Sequence, residues 1–151
     1  MKIYIGSDHA GFALKKSVIA VLTAEGVSLD DCGCHSEESC DYPTFAESVG
    51  RKVVAEKTLG ILVCGSGLGV AIAANKVRGV RAASVTDATA ARLSREHNDA
   101  NIISFGSRLI GAEVALDVCR AFVKAKFQGG RHQKRVDLIS AMEKNFNALD
   151  K

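Results

Sequence analysis

The chain predicts an α/β fold: a single-domain, Rossmann-like three-layer α/β/α sandwich on a mostly parallel five-stranded sheet. Three features carry that expectation. Short apolar runs alternate with amphipathic segments from one end of the 151 residues to the other. The runs are too uniformly apolar for strands with one wet face. Polar residues stand directly behind the first, third and fifth strands, where doubly wound sheets collect ligands. With 47% apolar residues one sizeable core is within reach, and no linker, repeat or low-complexity segment divides residues 1–151.

Lys2 to Gly6 forms the expected first strand. Phe12, Leu14, Val18, Val21 and Leu22 follow at near-helical spacing until Gly26 stops them. Val27 to Asp30 reads as the second strand. Pro43, suited to the first turn of a helix, opens one that runs to about Glu56. Gly60 to Cys64 is the third strand and Val70 to Asn75 a small-residue helix. Val80 to Val85 and Asn101 to Phe105 supply the last two strands, and between them Asp87 is placed to cap a helix ending near His97. Gly111 to about Lys126 is helical, and Gly129-Gly130 then punctuates the chain.

Twenty Lys+Arg against seventeen Asp+Glu leave a net charge of +3, too slight to argue for nucleic acid or a membrane surface. The apolar start is shorter than a signal-peptide core and no run approaches spanning length, so a cytoplasmic protein is expected. Of the five cysteines, three crowd into Cys32-Gly-Cys34-His35-Ser-Glu-Glu-Ser-Cys40. Without a secretory signal they read as free thiols. As zinc ligands they lack the paired spacing of structural sites, so no metal is assigned. Cys119 is grouped with these three as a surface thiol.

The densest chemistry lies where the third strand stops at Cys64 and passes into Gly65, Gly67 and Gly69. Glycines let bare N–H groups approach a ligand, and a helix start beyond them favours negative charge, a setting that suits a reactive thiol. The run fits neither G-x-G-x-x-G nor G-x-x-x-x-G-K-[ST], so the dinucleotide and nucleoside triphosphate templates fail in register. A buried structural cysteine beside a tight turn is the competing reading.

Asp8 and His9 follow the first strand and can face a polar ligand, although Asp8 can equally cap the next helix. His97-Asn98-Asp99 close the fourth helix, where a charged histidine also gains from the helix dipole. Arg108 sits just past the fifth strand. Arg131 and Arg135, four apart, share one face if helical and would offer two guanidinium forks to a phosphate, or else form a solvated basic face. A thiol, a bed of amide donors, a histidine and arginines together suit proton transfer beside the carbonyl of a phosphosugar.

Eight motifs occur in one order across nearly the whole chain: Gly6-Ser-Asp8-His9-Ala-Gly11, Asp41-Tyr42-Pro43, Cys64-Gly-Ser-Gly-Leu-Gly69, Ala74-Asn75-Lys76, Arg81-Ala82, Ser94-Arg-Glu-His97-Asn98-Asp99, Phe105-Gly-Ser-Arg108 and Gly130-Arg131-His-Gln-Lys-Arg135. In these the chain resembles the B-type ribose-5-phosphate isomerases and the related allose- and galactose-6-phosphate isomerases. The resemblance implies an aldose–ketose isomerase without metal or cofactor, interconverting D-ribose 5-phosphate and D-ribulose 5-phosphate through a cis-enediolate in the non-oxidative pentose phosphate pathway. It implies Cys64 as the base that carries the proton between C2 and C1. Ser66 and the amides of Gly65, Gly67 and Gly69 would steady the enediolate oxygens, and His97 would help open the furanose ring. Asp8, Tyr42 and Asn98 would lie near the sugar hydroxyls, with His9, Arg108, Arg131 and Arg135 on the phosphate.

The resemblance also implies a homodimer, or a dimer of dimers, with active sites shared between subunits and the helix from about residue 131 packing on the partner. Some relatives use a glutamate in place of the thiol; Gly69 to Asn75 holds no carboxylate, which favours the thiol. The Cys32 to Cys40 loop has no catalytic counterpart in the family and leaves sugar length open. A hexose 6-phosphate isomerase is therefore the alternative substrate reading. A non-catalytic phosphosugar-binding module is the alternative class.

Overall fold

Strands that are apolar on both sides need helices on both faces, and the computed structural model, which describes residues 2–149, supplies them. The order is β1 (Lys2–Ser7), α1 (Phe12–Ala24), β2 (Ser28–Asp31), α2 (Tyr42–Glu56), β3 (Leu59–Cys64), α3 (Leu68–Ala74), β4 (Ala82–Ser84), α4 (Ala88–Asn98), β5 (Ile102–Gly106), α5 (Ala112–Lys124) and α6 (Arg131–Leu149). All four strand pairings are parallel, in the order β2-β1-β3-β5-β4. One face is packed by Val18 and Leu22 of α1, Ala91 of α4 and Phe122 of α5; the other by Val49 and Val53 of α2 and Val70 and Ala74 of α3. The chain turns from β1 to β2 on one side and to β3 on the other, so the switch-point crevice opens between the ends of β1 and β3.

Departures from the expected boundaries have local causes. α3 begins at Leu68, two residues early, because Gly67 takes φ +79° and makes the entry turn that a side chain would strain. β4 keeps only three residues: Val80 closes a turn onto the Val77 carbonyl, and Val85 continues to bond Ser104 beyond the end of the strand. Asp87 caps α4 as expected, its carboxylate accepting the Ala90 N–H at 2.8 Å.

Lys15 departs most from its residue type. It shares the buried stripe of α1 with Val18 and Leu22 and is fully buried, its Nζ donating to Asp31 Oδ1 at 2.5 Å and to the Cys34 carbonyl at 2.6 Å. A buried ammonium survives because both partners meet it there. Cys119 is likewise no surface thiol: it lies wholly inside α5's core face, and burial pushes it up to about 12. Cys34 is buried too, which leaves Cys32 and Cys40 as the partly open members of the group.

The helix expected from about residue 131 begins at Arg131. Its first turns dock on the chain's own α4 through His132 and Val136, both buried, whereas Leu138, Ile139 and Met142 are exposed. Residues 150 and 151 lie outside the described residues. Among the described residues no helix is long and apolar enough to cross a membrane.

Candidate active site

Cys64 ends β3 at the switch point and is 4% exposed. The chain turns so sharply behind it that the Gly67 N–H donates to Cys64 Sγ at 3.1 Å, an acceptor role a thiolate fills better than a thiol. Backbone fit fixes this turn. A Cβ on Gly106, the residue beside Cys64 on β5, would stand 2.5 Å from the Ser66 backbone, and one on Gly67 would stand 2.7 Å from that of Phe105. Ser104 Oγ donates to the Gly67 carbonyl at 2.7 Å, and Ser66 Oγ accepts the Leu68 N–H at 3.3 Å.

Six further predicted residues gather at this edge. Arg108 lies over Gly65, where a Cβ would meet its guanidinium at 3.2 Å, and the Tyr42 ring lies against Gly69, where a Cβ would meet it at 2.7 Å. Asp8 is buried and its Oδ1 accepts the Gly11 N–H at 2.9 Å, fixing the turn ahead of α1; the N-cap position itself is Gly11, and no side chain caps the helix. Gly11 in turn backs onto β3, where a Cβ would lie 2.4 Å from the Val63 carbonyl oxygen. His9 Nδ1 accepts the Cys40 N–H at 3.2 Å, which puts the ring proton on Nε2. Cys64, Gly65, Ser66, Gly67, Gly69, Asp8, His9, Tyr42 and Arg108 therefore lie at the carboxyl edge of the sheet.

His97, Asn98, Arg131 and Arg135 lie at the other edge. His97 and Asn98 end α4 just before β5 starts, and β5 runs from Ile102, beside Gly60, to Gly106, beside Cys64. Those four parallel-strand steps span about 13 Å, and both residues lie beyond the far end of them. The His97 ring stacks on His132 with centroids 4.2 Å apart and planes at 7°. Burial first, then His97, Arg131 and Arg135, hold His132 below the ordinary histidine range. Arg131 and Arg135 make this end of the stack electropositive.

Sequence reasoning missed how this edge is held. Asp99 takes φ 45° past the end of α4 and receives Arg81 Nη2 on Oδ2 at 2.8 Å and Arg95 Nη1 on Oδ1 at 2.7 Å. Arg81 also donates to the Asn98 carbonyl at 3.1 Å, tying the clamp to the candidate residues. The signal was an aspartate at a left-handed helix end with arginine four residues before it. A cavity of 740 Å³ opens here between Arg78, Arg81, Asn98, Met142 and their neighbours, away from Cys64.

A thiol thus stands on an amide-lined turn at the switch point of a doubly wound parallel sheet, with arginines and a histidine stack at the far edge. The chain belongs to the Ribose/Galactose Isomerase family, which it matches over residues 3–139. It is 46% identical to ribose-5-phosphate isomerase B of Escherichia coli, covering 97% of this chain and 99% of that one. The ribose-5-phosphate isomerase B structure from Clostridium thermocellum superposes with a TM-score of 0.94 at 49% identity, covering 97% and 99% of the two chains. That of Mycoplasma genitalium with bound ribulose-5-phosphate superposes at 0.91 with 42% identity, covering 95% and 96%.

Proposed function

We propose that the protein interconverts D-ribose 5-phosphate and D-ribulose 5-phosphate in the cytoplasm, with the Cys64 thiolate as the base. The observation that carries this is the Gly67 N–H aimed at Cys64 Sγ at 3.1 Å inside the switch-point crevice. The thiolate removes the proton from C2 of the open-chain aldose. Charge moves onto the C1 oxygen, where the Gly65 to Gly69 amides and Ser66 steady the cis-enediolate. The O2 hydroxyl proton passes to O1, the thiol returns its proton to C1, and the C2 oxygen becomes the ketose carbonyl. Asp8, Tyr42 and Asn98 contact the sugar hydroxyls. His9, Arg108, Arg131 and Arg135 hold the phosphate, and His97 assists ring opening.

One sugar phosphate cannot reach both edges of a single sheet, so the reading requires a second copy: the thiol edge of one protomer meets the His97 edge of the other. Exposed Leu68 and Ile72 beside the thiol turn and exposed Leu138, Ile139 and Met142 on α6 provide apolar surface for that homodimer. α6 then serves both its own α4 and the partner. The test is kcat/KM for ribose 5-phosphate and allose 6-phosphate with wild type and Cys64→Ala. Pentose turnover falling by about 10²–10⁴-fold in the variant is the expected result. A hexose preference would keep the chemistry and move the substrate, and turnover indifferent to Cys64→Ala would overturn the mechanism.

A further inference from the structure

The Cys-rich segment takes no part in the proposed reaction. After β2 the chain folds back over the exit of β1: Ser7 N–H donates to the Gly33 carbonyl at 2.6 Å and Cys34 N–H to the Ser7 carbonyl at 2.7 Å. Buried Lys15 holds the Cys34 carbonyl from the other side. Cys34 Sγ is thereby set 3.9 Å from Ser7 Oγ and 3.2 Å from the Ser36 carbonyl. Six residues on, the chain returns to the same place: Cys40 N–H donates to His9 Nδ1 at 3.2 Å and Cys40 Sγ stands 4.0 Å from that nitrogen. Both thiols thus border the short stretch from Ser7 to His9, Cys34 Sγ against Ser7 and Cys40 Sγ against His9. Cys32 is outside this pair, its sulfur facing Lys52 Nζ at 3.5 Å.

We infer that Cys34 and Cys40 form a dithiol modification site that a hydroperoxide converts to a disulfide, loosening the phosphate end of the active site. The inference rests on His9 as a phosphate contact. Cys40, the more open of the two, attacks the peroxide as thiolate: an S–O bond forms, the O–O bond breaks and one water leaves. Cys34 then displaces the sulfenic oxygen as a second water and the S–S bond closes. The two thiols lose two electrons and the peroxide gains them. Sulfurs bonded at about 2.05 Å draw Cys40 toward Cys34 and off the His9 ring, removing the N–H that keeps the imidazole proton on Nε2. Burial, Cys34 and Asp8 push Cys40 up and the His9 contact pulls it down, so closure is slow at neutral pH and quickens as pH rises.

The test treats reduced protein with hydrogen peroxide in the presence of ribose 5-phosphate, which shields Cys64. Peptide mapping should find Cys34 and Cys40 joined and two hydrogens lighter. KM for ribose 5-phosphate should rise about tenfold, the size of one charge-assisted hydrogen bond, with kcat little changed and dithiothreitol restoring it. Cys34→Ser, with Cys34→Ala as a second variant, should show no such rise. No linked peptide, a linked peptide with unchanged KM, or a rise that persists in both variants would overturn the inference. Reduced wild type without isomerase activity would instead overturn the proposed function; mapping, with calorimetric binding of ribose 5-phosphate, reads the thiol pair independently of turnover.

Discussion

The two edges of the sheet hold their candidate residues by different physics. At the thiol edge the backbone does the positioning: Gly11, Gly67 and Gly106 let strands and turns approach where any Cβ would collide, and Cys64 is fixed by its own chain turning over it. At the His97 edge charge and ring stacking position the residues, through Arg81, Arg95, Asp99 and the His97–His132 pair. A proton-transfer base must sit within a fraction of an ångström of carbon, which rigid backbone provides. A phosphate anchor works over longer range, and long side chains suffice.

Mixing protomers gives the largest expected effect. Cys64→Ala and His97→Ala should each be nearly inactive alone, yet a refolded equimolar mixture should recover roughly a quarter of wild-type activity if each site draws on both subunits of a two-fold dimer. No recovery would place both residues' work within one protomer. Next is Gly106→Ala, whose methyl would press on the Ser66 backbone from 2.5 Å. We expect kcat to drop by about a hundredfold from a displacement near 1 Å, with Tm lowered by overpacking. His97 edge contacts should be untouched, as stacking-sensitive NMR shifts of His97 and His132 would report.

Asp99→Asn should act in the opposite sense, on the clamp alone. Removing the charge shared by Arg81 and Arg95 should cost about 1–2 kcal/mol of stability, given that all three side chains are a third exposed or less, and raise KM without altering the alkylation rate of Cys64. A changed alkylation rate would show the two edges to be coupled. The smallest effect concerns pH. His132 is depressed, so the unfolded chain binds a proton that the folded chain resists, and the stability it contributes is full above about pH 6.5 and is lost as pH falls below that. Hydrogen-exchange protection factors across Arg131 to Val136 should fall between pH 7 and 5.5 in wild type and not in His132→Gln.

Much of this was legible along the chain. β1, β3 and β5 follow from apolar runs bounded by glycine and polar residues, and the thiol edge from the residues that stand behind each run. Lys15 carried a readable signal as well, being three residues before Val18 and seven before Leu22 on one helical stripe, which asks for a buried partner. The hold of Cys40 on His9 carried none, because its donor is a backbone N–H.

The sequence by itself determined the fold class, the thiol and its glycine turn, because strand period, helix period and backbone clearance are local properties. It also supplied the candidate residues His97, Asn98, Arg131 and Arg135 of the far edge, but not the Arg81–Asp99–Arg95 clamp that holds them. Only the tertiary structure decided that His97, Asn98, Arg131 and Arg135 stand a sheet's length from Cys64, since parallel strands send the residues before each strand to one edge and the residues after it to the other. Where the Cys-rich loop lies was decided there too: Cys34 returns to the exit of β1 because Ser7 and Lys15 hold it.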